Sequence, residues 1–420
     1  MDSKFKTKQP SELNREDLEL LFGRSYDRPE GSSLNLSMDY ILDSNGRLRY
    51  LYPSDGRFPA FLRFLNISTF RGKVISLAVR LFFRLKMSFL LKAGSVTVFL
   101  HGRNSLLQVA LKEHLDNFGF CIFFGTYGPD RKLVVEVHDK HTGQTDYFVK
   151  IPLGSESTRL VNNEQKSISF LAGLEIKGFS IPQIIDYCED RYLILSSAFD
   201  YSTPPNYRAL NGILDLHSVN REKKQIRSLR ALSDARNYLE ENNRWSLFDT
   251  LSESENASIR HDFNEIVEGL LRIAGFIGLD LEIDVSFAHK DFTPWNSAIT
   301  DSELYVIDWE RAESNTPIYY DFCHYIYQSE IMFQTYSSPE NLCNYIIDHI
   351  DSVLPRSQRY GKEVARLYFA CYIIDHIFYR IDLYSSSSDW FPQIAWQITA
   401  WRGSIDYLTK LFDRKQKTLR

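Results

Sequence analysis

The run Ala288-His289-Lys290-Asp291-Phe292-Thr293-Pro294-Trp295-Asn296, followed after a short spacer by Val306-Ile307-Asp308-Trp309-Glu310, constrains this chain more than any other feature. The spacer places short apolar runs on either side of the turn residues Asp301-Ser302-Glu303, the pattern of a hairpin over 297–300 and 304–307. A hairpin returns the chain to its starting point. Asp308 therefore comes back beside Asn296, while the spacing His-x-Asp-x-x-x-x-Asn sets the Asp291 carboxylate and the Asn296 amide on one loop. Any fold adopted here must gather two carboxylates and an amide oxygen at one end of a small hairpin.

Hard oxygen donors suit Mg²⁺, and a carboxylate can orient a hydroxyl as it attacks. Phosphoryl transfer needs both, because its catalysis is mainly positioning and charge neutralisation. On this reading Asp291 is the base and Asn296 and Asp308 hold the metal.

The remaining pattern predicts an α+β protein. Segments 118–124, 133–138 and 147–151 are short, β-branched and aromatic, and read as three hairpin-linked strands. A helix follows over 157–174, with Leu160, Ile168, Leu171 and Leu174 at helical spacing, and then strands over 183–187 and 192–196. The Ser/Thr/Pro-rich piece 196–205 reads as a hinge. Beyond it, 217–241, 258–279, 321–336, 340–354, 362–383 and 390–412 carry helical periods. At 420 residues the chain should divide into two or three domains. The predicted division is an extension over 1–105 whose role the residues do not reveal, five strands with one helix over 106–198, and a helical part over 199–420.

HKDFTPWN followed by VIDWE resembles the signature of the aminoglycoside phosphotransferase and choline kinase superfamily. The resemblance spans about residues 115–385. It implies a two-lobed protein-kinase-like fold with a five-stranded N-lobe and a mainly helical C-lobe, ATP or GTP with Mg²⁺ as cofactors, and a small-molecule hydroxyl as acceptor. Lys150, in Tyr147-Phe148-Val149-Lys150-Ile151, matches the strand lysine that contacts nucleotide phosphates. Glu164, in the following helix, would pair with it, with Glu156 as the competitor. Pro317-Ile318-Tyr319-Tyr320-Asp321 resembles the family's P-x-x-Y-D element, whose Asp braces the catalytic loop; His289 would support the same loop. Gly125 and Gly128 stand where a phosphate-covering loop belongs, but G-x-x-G departs from G-x-G-x-x-G and equally describes a plain turn. Acceptor contacts are sought among Asp348, Asp351, Asp375, His376, Tyr379 and Asp382, against the alternative that these form a solvated helix face. A catalytically silent module that binds nucleotide or a protein partner is the competing reading. A protein kinase is disfavoured, since H-R-D, D-F-G and A-P-E are missing.

Composition narrows the partners. With 49 basic and 54 acidic side chains the net charge is −5, so the global positive field of a non-specific nucleic-acid binder is lacking and no nucleic acid is expected. The five cysteines form no C-x-x-C pair and read as buried, reduced thiols. The N-terminus lacks the apolar core of a signal peptide, which points to a cytoplasmic address. Segment 70–100 is rich in Leu, Phe and Val, but Arg80, Arg84, Lys86 and Lys92 interrupt it too often for a bilayer-spanning helix. It reads as a helix packed on the protein, with a basic amphipathic helix on an anionic membrane surface as the alternative.

Overall fold

The computed structural model describes residues 15–23, 34–43, 45–64, 70–100, 106–107, 118–125, 128, 130–174, 176, 178–197, 210–240, 251–300, 303–354, 362–385 and 393–418. From residue 198 onward the expected hinge lies outside them. The chain divides into two units, one of Met1–Thr126, Asp130–Ser169 and Pro182–Ser202, the other of Tyr127–Pro129, Phe170–Ile181 and Thr203–Arg420.

The first unit contains α1 (Arg15–Phe22), β1 (Leu34–Leu42), β2 (Leu48–Pro53), α2 (Phe70–Arg84), β3 (Gly94–Leu100), β4 (Phe118–Phe123), β5 (Lys132–Asp139), β6 (Thr145–Pro152) and all but the last three residues of α3 (Ser155–Ala172). After β7 (Phe179–Ser180), which belongs to the second unit, β8 (Ile184–Cys188) and β9 (Tyr192–Ser196) complete it. Its strands form one antiparallel sheet in the order β3-β1-β2-β4-β5-β6-β9-β8. Among the described residues the expected five-stranded lobe is therefore corrected to eight strands. β1, β2 and β3 come from the opening hundred residues and continue the sheet past β4, where Tyr50 pairs with Phe123 and Leu51 with Ile122. Without them β4 would present an unpaired edge.

Alternation along the strands gives the sheet two apolar faces. Leu51, Ile122, Val135, Val149 and Ile151 lie in one core with Leu18, Leu21 and Phe22 of α1. Tyr50, Tyr52 and Cys121 point the other way, onto Phe61 and the Val79 and Phe83 side chains of α2. Lys150 alternates with Val149 and Ile151, in register with Val134 on β5 and Leu193 on β9. It therefore belongs to the face opposite that first core, in the interior of the sheet.

The second unit contains β10 (Glu222–Gln225), α4 (Arg230–Glu240), α5 (Glu253–Ile277), β11 (Glu282–Ala288), β12 (Ser297–Thr300), β13 (Glu303–Val306), β14 (Glu313–Pro317), α6 (Tyr320–Phe333), α7 (Pro339–Val353), α8 (Glu363–Ser385) and α9 (Gln393–Thr418). α5 opens with a capping box between Ser252 and Glu255. α8 is buried on all sides through its middle, where Ala370, Cys371, Tyr372, Ile373 and Ile374 have no exposed surface, so the other helices are arranged around it. The hairpin β12–β13 forms as expected and is joined by β7 in parallel.

The helix expected over 217–241 is confined to α4. Its first half instead supplies β10, which pairs with β11, while β14 pairs with the other edge of β11. Glu-Lys-Lys-Gln carries no strand propensity; its extended state comes from the hydrogen-bonding edge that β11 offers. The five cysteines are free, four of them buried and Cys188 half-buried.

Leu51 has no exposed surface and sits where the opening strands join β4. Leu51→Ala should cost about 2–5 kcal/mol, the scale of a large-to-small core change, read as a lowered denaturation midpoint. A cost below about 1 kcal/mol would show that the opening strands do not share this core.

Candidate active site

The catalytic-loop candidates are held by backbone accounting at the end of β11. There the chain turns through Lys290, whose φ of 63° is left-handed, and the N–H groups of His289 and Lys290 face inward. Asp321, in the first turn of α6, accepts both, Oδ2 from His289 at 2.7 Å and Oδ1 from Lys290 at 2.8 Å. Burial raises the Asp321 pKa, while His289 and these two N–H bonds favour its charged form.

His289 then ties this loop to the next one. The Asp291 N–H donates to Nδ1 at 3.1 Å, so the ring carries its proton on Nε2 and donates it to the Ile307 carbonyl at 2.8 Å. The Ile307 N–H donates to the Asn296 carbonyl at 2.9 Å, and Asp308 follows in a left-handed turn with φ 70°. Asn296 is turned by its own amide: Nδ2 donates to the Asp291 backbone oxygen at 2.9 Å and to Asp291 Oδ2 at 3.1 Å. Its Oδ1 is thereby directed away from Asp291. An amide oxygen and the Asp308 carboxylate are hard donors of the kind Mg²⁺ takes, so these residues fit the metal that the motif implies.

In the first unit, Lys150 Nζ lies 2.7 Å from both carboxylate oxygens of Glu164, and both side chains are buried. Glu164 shares its helix face with Leu160, Val161, Ile168 and Leu171, which are also buried. Glu156 pairs instead with Arg159, at 2.7 Å. Gly125 has φ 70°, and a Cβ there would approach the Lys132 carbonyl to 2.5 Å, so a tight turn demands this glycine whatever else it does. Gly128 is half-buried, but positions 126, 127 and 129 lie outside the described residues.

Residues 131–332 match the phosphotransferase enzyme family. The matched segment is just under half of the chain and runs from β5 to the end of α6. It contains Lys150, Glu164, His289, Asp291, Asn296, Asp308 and Asp321, and it carries the superfamily resemblance that the motifs display. No curated protein matches the chain in sequence. Among solved structures, a choline kinase from Streptococcus pneumoniae is 15% identical, with 73% of this chain and 98% of that one covered and a TM-score of 0.44. A choline kinase from Cryptosporidium parvum Iowa II is 15% identical, with 71% and 91% covered and a TM-score of 0.40. An ADP-bound aminoglycoside phosphotransferase is 16% identical, with 63% and 97% covered and a TM-score of 0.36.

Three residues around Asp291, in the matched segment and in the helix beyond it, escape a reading of the sequence. Asp291 Oδ1 lies 3.3 Å from His324 Nε2, 3.5 Å from Arg380 Nη2 and 3.7 Å from Arg311 Nη1. Burial alone would raise the Asp291 pKa, but Arg311, His324 and Arg380 outweigh it and hold the carboxyl well below the usual carboxylate range. Arg311 is three residues past Asp308 and His324 three past Asp321, so their proximity to the motifs was the available signal; Arg380, on α8, offered none. Lys290 is engaged too. Its ammonium is 2.8 Å from Glu313 and 2.9 Å from Asp375, and these acids outweigh burial to raise its pKa.

Those contacts also decide several of the expected acceptor residues. Asp375 serves Lys290, Asp348 pairs with Lys362, and the Tyr379 ring lies beneath the Arg311 guanidinium, 5.0 Å from it. His376 is buried and stacks on Tyr372 at 5.2 Å.

Burial lowers the pKa of His324 and, further, of His376, so both stay neutral in the folded protein at pH values where an unfolded histidine, with a pKa near 6.5, takes up a proton. The unfolded state then binds more protons, and stability should fall as pH drops below about 6.5. His376→Phe keeps the ring stack and removes one such group. Its unfolding free energy should decline less steeply between pH 6.5 and 5, by up to about 1.4 kcal/mol per pH unit. Parallel profiles for parent and variant would show that His376 does not resist protonation.

Proposed function

We propose that the protein is a nucleotide-dependent small-molecule kinase that moves the γ-phosphate of ATP or GTP to a hydroxyl of a sugar, amino alcohol or aminoglycoside-like acceptor. The observation that carries this reading is the hydrogen-bonded group of Asp291 and Asn296 on a loop whose backbone Asp321 holds, with Asp308 tied to the same loop through Ile307 and His289. The family match over residues 131–332 supports the reaction class. A silent module would be expected to lack the base or a metal ligand, and this chain keeps both.

Each residue has a task that its surroundings suit. Asp291 orients the acceptor hydroxyl and receives its proton. With its pKa held down by Arg311 and Arg380 it is a weak base, which suits a loose transition state where the nucleophile loses its proton late. Asn296 Oδ1 and the Asp308 carboxylate would hold Mg²⁺, which neutralises phosphate charge when bound. Lys150, fixed by Glu164, would contact the nucleotide phosphates, and Gly125 and Gly128 remain candidates for the phosphate-covering turn.

Turnover of Mg-ATP and Mg-GTP across a panel of amino alcohols, sugars and aminoglycosides tests the proposal. Asp291→Asn should bind nucleotide like the parent yet lose transfer on the order of a hundredfold or more. Asp308→Ala should abolish Mg-dependent nucleotide binding in calorimetry, and Asn296→Ala should weaken it less, since a carboxylate holds a hard cation better than an amide. Parent-like binding by both variants would place the metal elsewhere.

The Lys150–Glu164 pair supplies a separate check. Lys150→Ala and Glu164→Ala should each impair transfer, and the double variant should be little worse than the worse single one, because both remove one phosphate anchor. Fully additive losses would show that the two act independently.

A further inference from the structure

Helix α2 is apolar on two opposite sides. Val79 and Phe83 pack inward against Tyr50, Tyr52 and Phe61, and Ser76 is buried on the same side. The outward side carries Val74, Leu77, Leu81 and Leu85, exposed by 51, 71, 52 and 57%. Steps of three or four residues separate them, so they form one continuous stripe down the helix and onto the residue that follows it. Ile75 stands beside the stripe, and Phe89 and Leu90, in the 3₁₀ turn after the helix, extend it, exposed by 58 and 56%. A water-facing surface gains nothing from so many large apolar side chains in one patch.

Charge narrows what covers the stripe. Lys73, Arg80 and Arg84 are exposed along one flank, and Lys86 is exposed just beyond the helix. Among the described residues none of these four cations has an acidic partner. From Phe70 to Lys92 the chain contains no Asp or Glu at all, although its net charge is −5. A second copy seating the same face against this one would set these cations against one another. With 15 residues α2 is too short to span a bilayer, and no helix among the described residues is long and apolar enough to do so. An apolar stripe flanked by Lys and Arg matches the boundary between acyl chains and anionic headgroups. We propose that the outer face of α2 and the turn after it dock flat on an anionic lipid surface, α2 packing on the sheet with one side and on the membrane with the other.

Flotation of the full chain with vesicles tests this independently of any catalytic role. The protein should float with phosphatidylcholine–phosphatidylglycerol vesicles, and less so as salt is raised. Leu77→Glu/Leu81→Glu should lose roughly tenfold or more of that partitioning, and Arg80→Glu/Arg84→Glu a comparable share. All four positions are exposed, so the variants should melt like the parent, and the melting curves verify it. No flotation, equal flotation with pure phosphatidylcholine, or equal flotation of parent and variants would overturn the proposal. Self-association that Leu77→Glu/Leu81→Glu removes, without vesicle binding by the parent, would also overturn it by showing a contact between copies.

Discussion

The Asp321 carboxylate is the constraint on which the candidate site depends. A strand that ends in a left-handed turn leaves inward-facing N–H groups with no ladder partner, and a buried orphan donor costs about 1–3 kcal/mol. Asp321 accepts two of them from a neighbouring helix, so β11 and α6 meet at a defined point. Everything downstream inherits that position. His289, once placed, holds the Ile307 carbonyl; Ile307 holds Asn296; Asn296 holds Asp291. Three non-glycine residues here, Lys290, Asp308 and Tyr319, adopt positive φ, at roughly 1–3 kcal/mol each, and such strain persists only where the surroundings over-determine it.

The Lys150–Glu164 pair follows a different logic. Neither charge would remain buried alone, because removing one partner strands the other away from water. The pair survives because β6 delivers Lys150 from the interior of the sheet while α3 delivers Glu164 from within its own apolar stripe. The same sheet has to bury apolar residues on both faces, which is why α1 and α2 flank it. α2 meets that demand with one side and keeps a second apolar side outward.

Much of this was legible because the informative residues are close in sequence. His289, Asp291 and Asn296 share one loop, one hairpin separates them from Asp308, and Asp321 comes soon after. Lys150 and Glu164 are separated by a single strand-to-helix turn. What was illegible came from distance. Arg380 reaches Asp291 from α8 because helix packing puts it there, and no local pattern announces it. The strand over Glu222–Gln225 has the composition of a helix surface and becomes extended only because β11 offers an edge. The opening strands join the same sheet only through pairing: β2 meets β4, β1 meets β2, and β3 meets β1.

The sequence by itself determined the chemistry available: a carboxylate and an amide on one loop, a second carboxylate returned by a hairpin, and a lysine and a glutamate on adjacent elements. Spacing suffices for these, since loops, hairpins and helix turns are local and their geometry is set within a few residues. Tertiary structure alone decided how readily the Asp291 carboxylate takes up a proton. That depends on Arg311, His324 and Arg380 converging on one carboxylate from three elements, and electrostatic energy depends on separation in space and on burial, neither of which the order of residues along the chain contains.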